Sequence, residues 1–339
     1  MDTGHPGSVV ALLTIENLVS TFDTPNGTVR AVDDVSLHVD AGEIVGLVGE
    51  SGCGKTVLAL SVLRLLSPPG CIAKGRILWK GRDLLGLRGR ELRQIRGAQI
   101  AMIFQEPGAS LNPVFTVGSQ ISETLRVHRR MSRAAARERA VELLRTVAIP
   151  EPERRVDDYP HQMSGGMQQR VMIALALSCD PDLIIADEAT TALDVTIQLQ
   201  ILQLLADLRR DRGLAVLLIT HDLGVVAEIA DRVAVMYAGR VVEESPATDL
   251  FRDPKHPYTA GLLASRPGTA RPGPDRRLAA IPGRVPDLAD LPAGCRFSPR
   301  CPDVFAACRE VDPPLYPVGT RRVAACEKYV PDGPESDHD

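Results

Sequence analysis

At 339 residues the chain is long enough for one large domain or two modest ones, and its 39 basic and 43 acidic residues leave a net charge of −4, which excludes binding to nucleic acid by bulk electrostatics. No run of about 18 apolar residues exists, and Met1 to Ser8 lacks the basic-then-apolar order of a signal peptide, so a cytosolic protein is expected, with any membrane association borrowed from a partner. Seven cysteines, an odd number, suit a reducing compartment better than a disulfide framework.

Residues 12–37 alternate apolar and polar positions, and Pro25-Asn26-Gly27 interrupts them as a turn, which predicts a β-hairpin layer. Phe22, just before that turn, has the ring to stack on a base, and a strand-end core position explains it as well. Next comes Gly49-Glu50-Ser51-Gly52-Cys53-Gly54-Lys55-Thr56, between the apolar run 43–48 and the helix-like Val57 to Leu60. It matches the P-loop pattern. Glycines let successive main-chain N–H groups converge on a phosphate at the positive end of a helix. Lys55 then suits the β/γ-phosphates and Thr56 suits Mg²⁺. Only five of the 39 basic residues are lysines, which weakens the alternative of a glycine turn followed by a chance lysine.

The helix from Lys55 is expected to run to Leu66 and stop at Ser67-Pro68-Pro69-Gly70. Gly75 to Trp79 reads as a strand. Ile100 to Phe104 is an apolar run too short for a helix of its own, and it ends at Gln105, placed to contact Mg²⁺ or an attacking water without changing charge, or else an ordinary loop residue. From Val117 to Ile149 the pattern is helical, with Ser132 as an N-cap, which predicts a helical subdomain inserted between strand-rich stretches. Ser164-Gly165-Gly166-Met167 then opens another helix, as an anion-binding end or a simple N-cap.

Leu183 to Ala186 reads as a buried parallel strand, and Asp187 and Glu188 stand at its carboxyl end, where α/β sheets place ligands. Asp187 suits the Mg²⁺ shell and Glu188 the base that polarises water. Asp194 precedes a helix with Ile197, Ile201, Leu204, Leu205 and Leu208 on one face, and a role as its N-cap alone would explain it. Leu214 to Thr220 is a further buried strand, with His221 at its end, either structural or set to touch a γ-phosphate.

Beyond Ser265 the composition shifts to Pro, Gly and Arg through Arg284, the signature of an extended linker. Four of the seven cysteines, Cys295, Cys301, Cys308 and Cys326, fall within the last 45 residues with gaps of five, six and 17. Zinc sites favour two-residue gaps between paired thiolates, which are absent. A [4Fe–4S] cluster also takes four thiolates, and Arg296, Arg300 and Arg309 are available to offset its charge. Zinc and no metal remain the alternatives. Separation in sequence from the phosphate motifs predicts a structural role that leaves nucleotide affinity unchanged.

Taken together, the P-loop, the glutamine at Gln105, the helical insertion, Ser164-Gly165-Gly166, Asp187-Glu188, Ala192-Leu193-Asp194 and His221 resemble, in order and spacing over roughly residues 12–265, the ATP-binding subunit of an ABC transporter. Two departures are Met163 and Met167 around the signature, where the family favours Leu and Gln, and Cys53 in the P-loop. Gln105-Glu106-Pro107, Leu111-Asn112-Pro113 and His256-Pro257-Tyr258-Thr259 are similar to dipeptide and oligopeptide importers, relatives of nickel and glutathione carriers, and some members of that branch hold an iron–sulfur cluster in the tail.

The resemblance implies an α/β P-loop cassette at residues 10–265 with an antiparallel β layer and a helical subdomain at about 106–165, followed at 266–339 by a small metal-binding arm. It implies an ATP hydrolase of the translocase class powering peptide import. ATP would meet Phe22 and the P-loop of one cassette, and Ser164, Gly165, Gly166, Met167 and Asp194 of a second, identical or sister, cassette. Glu188, His221 and Gln105 would serve catalysis, and Thr56, Gln105 and Asp187 would hold Mg²⁺. Its partners would be two membrane permeases and, indirectly, an extracytoplasmic peptide-binding protein, at the cytoplasmic face of the bacterial membrane and without nucleic acid. Import of nickel or another small solute, and a soluble non-transport ABC ATPase, are the alternatives.

Overall fold

The structure is a computed structural model that describes residues 11–25, 27–188, 195–265 and 280–331. Among them are twelve strands: β1 (Leu13–Thr24), β2 (Gly27–Val39), β3 (Ile44–Val48), β4 (Gly70–Trp79), β5 (Arg82–Asp83), β6 (Ile100–Ile103), β7 (Leu183–Asp187), β8 (Ala215–Thr220), β9 (Arg232–Tyr237), β10 (Arg240–Pro246), β11 (Tyr316–Gly319) and β12 (Arg322–Ala324). The chain divides into two compact units, one drawn from residues 1–14, 38–44 and 77–220, the other from 15–37, 45–76 and 221–339.

In the first unit, β8, β7 and β6 lie side by side in that order, with β6 and β8 each parallel to β7. Every residue of β7 and β8 is buried, as expected of continuous apolar runs in a parallel sheet covered on both faces. Between β6 and β7 there are only helices, as the periodicity predicts. Helices Val117–Arg129 and Arg133–Thr146 are capped by Thr116 and by Ser132, whose side chains accept the N–H groups of Ser119 and Ala135. Each capping oxygen satisfies a donor that the helix start leaves over. Helix Gly165–Leu177 is buried along most of its second half, and helix Val195–Arg212 buries Ile201, Leu205 and Leu208.

In the second unit, β2, β1 and β4 lie in that order, and a further run of strands follows the order β11, β12, β10, β9, β3. Strand β3 is fully buried and parallel to β9, with Val45 opposite Arg232. Residues 280–331 are not a loose appendage. Strand β12 pairs antiparallel with β10, Glu243 opposite Ala324, and extends the sheet that begins at β3.

The helix after the P-loop spans Lys55–Val62 and ends four residues before Leu66. A reverse turn stops it, not the prolines: Arg64 takes a left-handed φ of 53°, its N–H donates to Ser61 O, and Leu65 N–H donates to Leu60 O. That pair of bonds satisfies the last free carbonyls.

Candidate functional site

Strand β3 delivers the chain to Gly49, and the P-loop closes at Gly54, the N-cap of helix Lys55–Val62. Gly54 has φ 106°, and a Cβ there would lie 2.2 Å from Ala31 O, so only glycine fits. Lys55 is 5% exposed; its ammonium donates to Gly49 O at 2.7 Å and Glu50 O at 2.9 Å and sits 3.6 Å from the sulfur of Cys53. Burial pushes the Cys53 thiol up against the opposing pull of Lys55, so Cys53 is a neutral filler and its backbone serves the loop. Thr56 is exposed, as are Ser51 and Gly52. Phe22 is half-buried, its ring over Gly70, where a Cβ would come within 2.5 Å.

In the first unit, β7 ends in Asp187, which is buried, and Glu188, which is half-buried. Glu188 takes a left-handed φ of 46°, a conformation that costs a residue with a Cβ, while its N–H donates to Ile219 O at 2.9 Å on β8. The Gln105 side-chain amide, just past β6, donates to the Glu188 carboxylate at 2.8 Å. The glutamine and the proposed base are thus brought together by the two parallel strands that carry them. Ser164 caps helix Gly165–Leu177, its hydroxyl accepting from Met167 N–H at 3.3 Å, so the ordinary capping role is present. Around Gly165 a Cβ would meet nothing within 4 Å. His221 is exposed beyond β8. Asp194 lies outside the described residues.

The C-terminal region reaches the P-loop itself. Arg300, 4% exposed in its side chain, forms two bonds to the Glu50 carboxylate, at 2.6 and 3.0 Å. Glu50 N–H donates to the Tyr258 hydroxyl at 2.8 Å. Four positions before Arg300 and next to Cys295, Arg296 pairs with buried Asp33 and donates to Ala238 O at 2.6 Å. Burial opposes ionisation of Asp33, but the Arg296 bond and the charges of Arg296, Arg240 and Arg30 hold its carboxyl below the usual value. Tyr258 is placed by the turn before it: buried His256 accepts Tyr258 N–H on Nδ1 at 3.0 Å, and burial lowers that imidazole to about 3, which keeps Nδ1 an acceptor. Fully buried Glu243 accepts the N–H groups of Lys255 and His256, each at 2.8 Å.

These contacts correct two expectations. Arg296 and Arg300 are committed to Asp33 and Glu50 and do not serve as counter-charges for the cysteines, and the tail is not independent of the phosphate loop. Neither role was visible in the sequence, which marked Tyr258 as a family feature and the arginines as neighbours of cysteines. Cys295, Cys301, Cys308 and Cys326 do converge, free of disulfides, on one cavity that His256 and Phe297 also line. Burial first, and then the neighbouring thiols, push Cys295 up to about 11. The enclosed space is only about 10 Å³, roughly one water, and no group of three or more His, Cys, Asp or Glu among the described residues is arranged to hold a metal ion. The donor set fits a thiolate-bound metal; the arrangement does not, so the metal-binding arm is not borne out by the geometry.

A P-loop at the end of one parallel strand and a glutamine and an acidic pair at the ends of others are the parts of a nucleotide-hydrolysing cassette. Comparison with known proteins agrees. The ABC transporter model matches residues 32–191, and the model for the oligopeptide/dipeptide transporter C-terminal region matches 242–308. The chain is 54% identical over 318 residues to a probable peptide ABC transporter ATP-binding protein, y4tR, of Sinorhizobium fredii, covering 93% of this chain and 94% of that one. It is 49% identical to the dipeptide transport ATP-binding protein DppD of Haemophilus influenzae (93% and 94% covered) and 48% identical to the oligopeptide transport ATP-binding protein OppD of Bacillus subtilis (96% and 91%). Among solved structures, the dimeric bacterial ABC transporter cassette MJ0796 superposes with a TM-score of 0.64 at 31% identity, covering 69% of this chain and 98% of that one. The chain belongs to the ABC transporter family of ATP-binding proteins and is an ATPase.

Proposed function

We propose that this chain is the ATP-hydrolysing subunit of an importer of di- and oligopeptides, working at the cytoplasmic face of the membrane with two permease subunits and a second cassette. The observation that carries this reading is about 50% identity, over more than nine-tenths of the chain, to ATP-binding proteins of dipeptide and oligopeptide transport, together with the match of residues 242–308 to their C-terminal region. No helix among the described residues is long and apolar enough to cross a membrane, so translocation falls to partners. Val114 and Phe115, 69% and 53% exposed just beyond Gln105, are an apolar pair suited to receive a short helix of a permease. Transport of labelled di- and oligopeptides by the assembled complex tests the reading, and uptake of nickel but no peptide would replace it.

In the proposed cycle Lys55 and the loop N–H groups hold the β/γ-phosphates, and Phe22 stacks on the base. Mg²⁺, when bound with ATP, offsets phosphate charge; Thr56, Gln105 and Asp187 are the residues assigned to it. Glu188 takes the proton of the attacking water, Gln105 orients both through its bond to that carboxylate, and His221 contacts the γ-phosphate. Ser164, Gly165, Gly166, Met167 and Asp194 face ATP held by the second cassette. Support for this last assignment is that nothing in the described chain requires Gly165 to lack a side chain. A [4Fe–4S] cluster on Cys295, Cys301, Cys308 and Cys326 is a reading of the donor set alone: four free thiols line one cavity, but as arranged they leave only about 10 Å³, and a cluster would require them to move apart. Iron and zinc analysis of anaerobically purified protein tests it, and no metal at all would sink it.

A further inference from the structure

Glu50 puts an acid into a loop built for phosphate. Its carboxylate stands in the segment whose N–H groups and Lys55 must attract an anion, and like charge beside a phosphate weakens binding. The structure gives Glu50 three partners, two of them, Arg300 and Tyr258, 250 and 208 residues away in sequence. Its carboxylate is gripped by both terminal nitrogens of Arg300, its N–H donates to Tyr258, and its carbonyl accepts from Lys55 at 2.9 Å. Arg300 is fixed in turn: its Nε donates to Pro282 O at 2.9 Å, and its guanidinium carbon lies 5.8 Å from the ring centre of Tyr237, which packs 4.5 Å from the ring of Tyr258. A planar, doubly bonded guanidinium held at its root is a rigid clamp and not a wandering surface pair.

We propose that Arg300 and Tyr258 are positioning residues for ATP: they neutralise and immobilise Glu50 from the C-terminal region, and so set the shape and charge of the phosphate loop. The His256-Pro257-Tyr258-Thr259 turn then has a physical purpose, since His256 caps the helix that presents the Tyr258 hydroxyl to the loop. The C-terminal region is part of the nucleotide site, and ATP affinity depends on how it is seated. This rests on the P-loop binding ATP.

The test is titration of the full-length chain with a fluorescent ATP analogue, followed by ATPase kinetics in the assembled transporter. Arg300→Met leaves an uncompensated carboxylate in the loop, and the Kd rises about tenfold or more, with KM rising while kcat stays within about twofold. Arg300→Lys keeps the charge without the fork and gives an intermediate Kd. Adding Glu50→Gln to Arg300→Met removes the offending charge and brings the Kd back within about threefold of wild type, which a merely structural loss would not do. Tyr258→Phe removes only the acceptor and raises the Kd about threefold. An Arg300→Met Kd within twofold of wild type overturns the proposal, as does a double variant no tighter than Arg300→Met. Should Arg300→Met fail to fold, unchanged affinity in both Arg300→Lys and Tyr258→Phe overturns it. A wild-type chain that binds no ATP analogue would overturn the ATP reading first and the clamp with it.

Discussion

The two units hold their functional groups in opposite ways. In the second, each charged group of the phosphate loop is held in place, Lys55 by carbonyls of its own loop and Glu50 by distant Arg300, and Asp33 is likewise held by distant Arg296. In the first, the proposed base Glu188 is only half-buried, stands on a strained backbone, and shares its carboxylate with exposed Gln105. Binding a charged ligand tightly needs a receptor that does not rearrange, whereas positioning a water for one moment of a cycle needs groups that are able to exchange partners. The difference teaches that rigidity here follows the task of each residue rather than its distance from ATP in sequence.

If that contrast is right, damage to the first unit's site should fall on chemistry. Glu188→Gln keeps the shape and the Gln105 contact but removes the base, and steady-state ATPase of the assembled complex should fall by a factor of about 10² to 10⁴ with ATP affinity held within a few-fold. Turnover within threefold of wild type would remove Glu188 from that role.

Damage to the braces of the second unit should fall on stability. Asp33 and Arg296 are 6% and 8% exposed, so Asp33→Asn leaves a buried guanidinium short of its counter-charge and should lower the unfolding free energy by about 3 kcal/mol in denaturant titrations. An effect under about 1 kcal/mol would mean that Asp312, 3.8 Å from Arg296, takes over. The same pair sets a pH dependence. Asp33 is held below its ordinary value of 3.8, so its contribution is fully present above that value and is lost as pH falls through it toward the lower folded value. Wild-type stability should therefore drop more steeply below about pH 4 than that of Asp33→Asn, and parallel profiles would contradict the assignment.

The smallest effects on the fold belong to the signature. Ser164→Ala loses one cap and should cost about 1 kcal/mol. Gly165→Ala meets nothing in the described chain and should leave thermal unfolding of the isolated subunit almost unchanged, while ATPase of the two-cassette assembly falls at least tenfold. Equal activity would argue that no second site approaches Gly165.

Much of this site is legible in the sequence because its chemistry constrains residue type locally. Gly54 must be glycine for its φ and for Ala31 O, strands β7 and β8 must be unbroken apolar runs, and Ser132 and Ser164 sit where a helix start wants an oxygen. What stayed hidden were the pairings between distant positions. Arg300 and Glu50 are 250 residues apart, and Arg296 and Asp33 are 263 apart; nothing periodic marks an arginine as the partner of one acid among 43. The end of the first helix was missed for a smaller reason: the turn is made by Arg64 in a conformation that favours glycine, so composition pointed onward to the prolines.

The reach of Arg300 back to Glu50 also bears on how the protein is born. A ribosome adding about 5–20 residues per second needs roughly 10–50 s to cover the 250 residues between them. During that interval the nascent chain already displays Gly49 to Thr56 but lacks the arginine that neutralises its acid. On the role proposed for Arg300, full affinity for ATP arrives late in synthesis, after strands β7 and β8 have emerged, and an unfinished chain holds nucleotide more weakly than the finished one.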